Sequence, residues 1–395
     1  MKVITITREF GAGGGEVGQR LAELLGWQLL DRELLHEAAQ VQHVPDAELE
    51  RLDEKTVDLV DRFRLHPPHQ QYLHGLTEAV RQAATRGNVI LVGRGARHLL
   101  ADMPEALHLR LVAPKAWRVQ RMAVREGWSE EHALAQLDHT DRSRNRFTRY
   151  FFGVAAGEPS QYDLTVNSGR LPLDHVVALV ADAVRGIPPA AAGRPTEARR
   201  VLTLSRELGA GHRGFGPTLA ARLGLAAYDR ELLEQEAVRL GVAPPELEKV
   251  DEQPAGVLER FRPGSLHARY FQALEQLIRE LAQRGSVLLV GRGANRFLSD
   301  DHAALHLRLV AAMPERVRRV MEYHWLREEA ARKRIAHSDA QSHSFYASCF
   351  GADWASPLEY HVTVNTGRLG PLAIDLAATV AERFWCRTDR SAEPS

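Results

Sequence analysis

The stretch from Ile4 to Gly18, ITITREFGAGGGEVG, decides how this chain is read. Val3 to Thr7 is β-branched throughout, as in a buried strand, and glycines crowd the positions from Gly11 to Gly18. Beyond them Val17, Leu21, Leu24 and Leu25 recur at helical spacing. A strand, a glycine-rich turn and a helix start in succession leave backbone N–H groups at the positive end of a helix dipole. That arrangement binds phosphate. A merely flexible turn is the competing reading, and a dinucleotide fingerprint is another, because Gly13, Gly15 and Gly18 spell G-x-G-x-x-G with Asp31 further on.

An internal repeat weighs against the dinucleotide reading. Asp31 to Leu35, DRELL, recurs at Asp229 to Leu233, an offset of 198 residues. At the same offset LHLRLVA from Leu107 recurs from Leu305, and RGNVILVGRG from Arg86 returns as RGSVLLVGRG from Arg284. Tyr162, Asn167 and Gly169 match Tyr360, Asn365 and Gly367. The second copy's only G-x-G-x-x-G match is Gly209, Gly211 and Gly214, equivalent to positions 11, 13 and 16 of the first. A working fingerprint would keep its register between copies.

A period this long is a duplicated domain, because each copy can bury its own core. The segment IPPAAAGRPTEA between Gly186 and Arg199 has the composition of an exposed linker. The expected domains are therefore 1–186 and 200–388, with 187–199 between them. In the first copy, strands are expected at Val3 to Thr7, in GWQLLD, at Asn88 to Val92 and at Leu107 to Val112. Helices are expected after the glycines, around Tyr72 to Arg86, and from Pro114. Alternation of this kind gives an α/β fold, a parallel sheet covered by helices on both faces.

Composition narrows the function classes. Lys plus Arg and Asp plus Glu both number 51, so no basic field exists to hold long nucleic acid or an anionic membrane. The two cysteines, Cys349 and Cys386, exclude a disulfide-dense scaffold and fit a reducing compartment. The start, Met1-Lys2 with Arg8 close behind, offers no apolar run for a signal peptide, so a cytoplasmic protein without a membrane span is expected. No residue pattern suggests a structural metal site, and HPPH at His66 reads as a loop.

The segments ITREFGAGGGEVGQRLAELLG, LLDRELL, VILVGRG and YDLTVNSG resemble the cytidylate kinase-like family, a branch of the P-loop kinases, across nearly all of both copies. The resemblance implies two tandem P-loop NTPase-type domains, with ATP and Mg2+ as cofactors and nucleotides as partners. Neither loop carries G-x-x-x-x-G-K-[ST], whose lysine reaches the outer phosphates. The family's usual loop resembles SREFGSGGREIG and lacks that lysine as well. Against it, the first copy keeps Glu16 but has Gly15 in place of an arginine, while the second keeps Arg213 but has Gly214 in place of the acid.

By resemblance, Arg8, Gly11, Gly13, Gly14 and Glu16 belong to the phosphate cradle, with Arg8 a substitute for the missing lysine's charge. Asp31 would contact nucleotide, Arg94 of VGRG would grip the acceptor's phosphate, and Arg118 would be a further phosphate ligand. Position supports Arg94, since open parallel sheets bind ligands beyond the carboxyl ends of their strands. Arg118, Arg121 and Arg125 share one helical face, which is also how a solvated stripe reads. The second copy's counterparts are Arg206, Gly209, Gly211, Arg213, Asp229, Arg292 and Arg316.

The segment DRSRNRFTRYFFG from Asp141 resembles the arginine-bearing lid of these kinases and would contribute Asp141, Arg142 and Arg144 to catalysis. Its counterpart DAQSHSFYASCFG keeps Asp339, Phe345 and Gly351 but replaces Arg142, Arg144, Arg146 and Arg149 with Ala340, Ser342, Ser344 and Ala347. The expected activity is ATP-dependent phosphoryl transfer to a nucleoside monophosphate such as CMP or dCMP by the first copy. The second copy would be a degenerate scaffold, a sensor or an internal pseudo-dimer partner. A non-catalytic nucleotide-binding protein, or a phosphotransferase with another small acceptor, stays open. Selectivity for the base would come from Gln42 to Tyr72, where no motif stands out.

Overall fold

In the computed structural model the described residues are 1–31, 68–93, 95–186, 199–229 and 266–388. They divide into two compact units, Met1–Ile187 and Pro188–Ser395. The expected linker, apart from Arg199, lies outside the described residues, as do Arg94 and most of Gln42 to Tyr72.

The first unit runs β1 (Val3–Arg8), α1 (Gly14–Leu25), β2 (Gln28–Leu30), α2 (Pro68–Arg86), β3 (Val89–Val92), α3 (Ala96–Leu99) and β4 (Ala106–Val112). It continues with α4 (Lys115–Glu126), α5 (Glu130–Phe152), β5 (Leu164–Asn167) and α6 (Leu173–Arg185). Its strands lie in the order β2-β3-β1-β4-β5 and all pair in parallel. The register sets Val3 beside Val89 and Ala106, and Ile4 beside Ile90 and Leu107. Period-two alternation then sorts the core. Val3, Val89, Leu91 and Ala106 pack against Tyr72, Leu76 and Val80 of α2. Ile4, Ile6, Ile90 and Val92 are buried on the opposite face, where α1 and α6 lie.

Local rules explain the ends of the elements. Left-handed glycines stop α1, α4, α5 and α6 at Gly26, Gly127, Gly153 and Gly186. Pro68 opens α2 earlier than the sequence pattern suggested, at a position where a missing N–H costs little. Val17 and Leu21 are buried as expected, while Leu24 is exposed.

The second unit repeats the plan as β6 (Val201–Arg206), α7 (Phe215–Leu223), β7 (Ala226–Tyr228), α8 (Leu266–Arg284), β8 (Val287–Val290) and α9 (Ala294–Phe297). There follow β9 (Ala304–Val310), α10 (Met313–His324), α11 (Glu328–Phe350), β10 (Val362–Asn365), α12 (Thr366–Leu369) and α13 (Leu372–Thr388). Strand order is β7-β8-β6-β9-β10, again parallel. Val201, Val287, Leu289 and Ala304 meet Tyr270, Leu274 and Ile278 of α8. The fold class read from sequence is thus observed in both halves, and no helix among the described residues is long and apolar enough to cross a membrane.

The segment expected as a lid is not a loop. Residues 130–152 form one continuous helix, α5, capped at its start by the Ser129 side chain accepting from the His132 N–H. Helical geometry divides the arginines, because Asp141, Arg144 and Thr148 share a face while Arg142, Arg146 and Arg149 are exposed on others.

Because the first unit buries its own core, a fragment ending at Gly186 is expected to fold alone and to unfold cooperatively on heating. Circular dichroism checks this. An aggregated or molten fragment alongside a well-folded full chain would contradict it.

Candidate functional site

The glycine loop connects β1 to α1 at the carboxyl end of the sheet. Gly11 and Gly13 stand at φ 81° and 87°, the left-handed region that residues with a Cβ avoid. A Cβ on Gly13 would also come within 2.9 Å of the Leu173 side chain. The loop is held in place mainly by two charged residues. The Phe10 N–H donates to Asp141 Oδ1 at 2.8 Å, and the Phe10 carbonyl accepts from Arg118 Nη1 at 2.9 Å. Arg118 Nη1 also meets Asp141 Oδ2 at 2.6 Å, while its Nε donates to the Ala113 carbonyl at 3.0 Å. Glu9 completes the clamp, accepting from the Ala113 N–H at 3.2 Å and facing Arg110 at 3.6 Å.

This geometry places two of the expected site residues. Arg118 is buried and Asp141 half-buried, and both hold the backbone of the loop. The second unit is built the same way. Arg316 donates to the Leu208 carbonyl at 2.8 Å and to Asp339 at 2.7 Å, with Glu207 beside it at 3.5 Å. Since Arg316 and Asp339 persist where Arg144 has become Ser342, the clamp belongs to the fold. Glu16 is likewise engaged, held by Arg121 at 2.6 Å and Arg20 at 2.5 Å on the outside of α1. Arg142 is exposed. Arg125 pairs with its neighbour Glu126.

Arg8 and Arg144 do come together. A cavity of about 450 Å3 opens where β1, β3 and β4 end, beneath the middle of α5, and both arginines line it. Arg144 donates to the Arg8 carbonyl at 3.0 Å and lies 5.7 Å above the Phe10 ring. The Arg8 side chain passes between Gly14 and Gly93, so close that a Cβ on either would collide with it. Asp31 stands just after β2, half-buried.

Several lining residues were not singled out from sequence. Arg110 projects from β4 and donates to the Gly157 carbonyl at 2.7 Å. Its signal was a charged residue alternating with leucines in an otherwise apolar strand. His98 also lines the cavity and stacks on Phe152 at 4.6 Å between ring centroids. Burial, aided by the neighbouring Arg97 charge, lowers its pKa to about 4. Ser168, outside the lining, was also not singled out, and its hydroxyl donates to the Ala12 carbonyl at 2.8 Å.

The second unit differs at that point. Thr366, the Ser168 counterpart, accepts the Gly211 N–H at 2.9 Å, so a loop donor is spent inside the protein. Gly209 and Gly211 keep left-handed φ values of 84° and 95°. Arg206 and Arg292 line a cavity of about 260 Å3, whereas Arg213 is exposed outside it. Crowding by the surrounding protein holds the Arg206 guanidinium below its ordinary pKa, and the Asp229 carboxylate acts in the opposite sense.

A model of the cytidylate kinase-like family matches residues 3–170 and matches again at 201–368. The chain belongs to the cytidylate kinase-like family. It is 26% identical over 192 residues to a cytidylate kinase of Methanopyrus kandleri, covering 46% of this chain and 92% of that protein. A cytidylate kinase of Methanothrix thermoacetophila is 27% identical over 187 residues, covering 47% of this chain and 99% of that protein. A uronate isomerase of Corynebacterium glutamicum is 30% identical over 106 residues, which span 27% of this chain and 20% of that protein. Both of these cytidylate kinase matches span about half of this chain.

Two measurements test the geometry. Arg118→Ala should destabilise the first unit by about 3 kcal/mol, because it strips Asp141 and the Phe10 carbonyl of a buried partner. Urea unfolding reads this, and a change near zero would contradict the clamp. For His98, an unfolded imidazole binds a proton below about pH 6.5, whereas the folded one stays neutral to about pH 4. Stability from this group is therefore lost as pH falls through that window. An NMR titration of the ring should show its midpoint near the lower limit, and an ordinary midpoint would refute its burial.

Proposed function

We infer that the first unit transfers a phosphoryl group from ATP to a nucleoside monophosphate, with CMP or dCMP as the preferred acceptor. The observation that carries this is Arg144, delivered by α5 onto the carbonyl of Arg8 at the rim of a cavity that both arginines line. Membership of the cytidylate kinase-like family and the likeness to proteins named cytidylate kinase support the choice of acceptor.

The glycine loop fits ATP's phosphates in chemistry. Gly11 and Gly13 turn the backbone so that side chains do not crowd the helix start. Bound ATP supplies the phosphoryl group. Mg2+ would enter with the nucleotide, since it keeps several waters and binds chiefly to phosphate oxygens in such sites.

The chain's own residues then have electrostatic tasks. An acceptor phosphate oxygen is already anionic, so the reaction needs charge neutralisation and alignment more than a strong base. Arg8, placed between the two glycines, supplies charge where a P-loop lysine would stand. Arg144 reaches the same space from the opposite wall, with its planar donor fork matched to phosphate oxygens. Asp141 and Arg118 position both by fixing the loop to the helix. His98, neutral near pH 7, adds an aromatic wall with hydrogen-bonding capacity and no charge.

A screen of ribonucleoside and deoxyribonucleoside monophosphates with labelled ATP tests the activity and identifies the acceptor. Arg144→Ala should lower kcat by a hundredfold or more, about 3 kcal/mol of transition-state stabilisation. ATP affinity should fall less, and Ser342→Ala should change little. Nucleotide binding without transfer to any monophosphate would replace this reading with that of a sensor. Activity indifferent to Arg144 would overturn its role.

A further inference from the structure

The two helices that carry the clamp meet in a corner, where α4 turns into α5 in the first unit and α10 into α11 in the second. Gly127, in the left-handed region, makes the first of these turns. In the second unit its place is taken by Trp325 at φ 55°, a conformation that glycine adopts freely and a bulky side chain avoids. Trp325 is 93% exposed, and among the described residues it makes no hydrogen bond or ring contact. A large aromatic residue that is strained in its backbone and left in water marks a surface shaped for something outside the chain.

The surroundings of Trp325 are basic. Burial, together with the charges of Arg334 and Arg213, holds the neighbouring His324 imidazole below its ordinary pKa. Arg213, Arg327 and Arg334 are exposed, and among the described residues none of them has a carboxylate partner. The nearby acids are already taken. Glu322 faces Arg318 at 3.4 Å, Glu328 faces Arg332 at 2.8 Å, and Glu329 faces Lys333 at 2.8 Å. In the first unit the positions of Arg213, His324, Trp325, Arg327 and Arg334 hold Gly15, Glu126, Gly127, Ser129 and Gln136. The aromatic and basic character therefore belongs to the second corner alone.

The first corner has the opposite character. Val124 and Leu134 are 87% and 41% exposed there, in the places of Glu322 and Arg332. Because Leu134 and Ala135 replace Arg332 and Lys333, Glu130 and Glu131 lack the partners that Glu328 and Glu329 keep, and among the described residues they pair with no base. Apolar side chains beside two unpaired carboxylates complement an indole beside three unpaired guanidinium groups, and Trp and Arg are the residues that most often dominate protein interfaces. A nucleic-acid backbone fits less well, since such complexes commonly neutralise about 6–10 phosphates.

We propose that the Trp325 corner of the second unit docks onto the Val124 corner of the first unit in a second copy of this chain. Trp325 covers the exposed Val124 and Leu134, and the guanidinium groups meet Glu130 and Glu131 around it. Each chain offers both corners, so two copies can make the contact twice and close a dimer. This contact goes beyond phosphoryl transfer by the first unit and does not depend on it.

Sedimentation equilibrium of the full chain tests the contact. The average mass should rise with concentration toward that of two chains. Trp325→Gly, which restores the first unit's residue and relieves the left-handed position, should weaken association at least tenfold. Glu130→Lys combined with Glu131→Lys should do the same from the other side, and circular dichroism confirms that each variant folds. Each variant keeps the corner that the other has lost, so an equal mixture of the two should associate where neither does alone. The proposal is overturned if the unaltered chain keeps the mass of one chain up to about 100 μM. It is equally overturned if Trp325→Gly associates as tightly as the unaltered chain, or if the mixture associates no more than its components. A monomeric chain that binds a single-stranded oligonucleotide through Trp325 would assign the corner to nucleic acid instead.

Discussion

The Arg118 guanidinium, inserted between the Phe10 carbonyl, the Ala113 carbonyl and the Asp141 carboxylate, is the contact on which the first site depends. A turn with two left-handed glycines leaves backbone groups without regular partners, and each buried group left unpaired costs about 1–3 kcal/mol. Arg118 and Asp141 satisfy both polar groups of Phe10. Because Asp141 sits on α5, the same bonds fix that helix to the loop. Arg144, one turn further along α5, is thereby held over β1. A buried ion pair of this kind adds little net stability, so its contribution here is to geometry.

The second unit separates the scaffold from the chemistry. It retains the clamp through Arg316, Asp339 and Glu207 and retains the parallel sheet. It has spent the Gly211 amide on Thr366, carries Ser342 in place of Arg144, and has filled part of its cavity with Trp354. These changes leave the Arg316–Asp339 pair in place. Duplication thus left two cavities of the same origin with different volumes and, among the described residues, different linings.

Much of this was legible in the sequence. The strand, glycine turn and helix at Ile4 to Gly18 announced the sheet's carboxyl end, and the constant offset between copies announced the duplication. Less legible were the partners of charged side chains. For Arg118 and Asp141 the sequence shows charge without showing which backbone groups need it. Their preservation as Arg316 and Asp339, beside the loss of Arg144, was the available sign that they also hold the loop. The arginines from Arg142 to Arg149 were read together as a lid, yet helical periodicity sends only Arg144 into the cavity. Arg110 and His98 escaped notice because their positions depend on strand pairing and on Phe152, contacts distant in sequence.

The central claim is that chemistry resides in the glycine loop of the first unit and not in that of the second. Gly13→Ala and Gly211→Ala, made separately in the full chain, test it through the rate of phosphate transfer from ATP to the acceptor. Both substitutions strain a left-handed position, at φ 87° and 95°. Gly13→Ala also approaches Leu173 to 2.9 Å, where Gly211→Ala meets nothing nearer than 3.4 Å, so circular dichroism of each variant must first show an intact fold. The account predicts that Gly13→Ala abolishes transfer while Gly211→Ala leaves the rate close to that of the unaltered chain. Loss of transfer in Gly211→Ala, with Gly13→Ala still active, would contradict it.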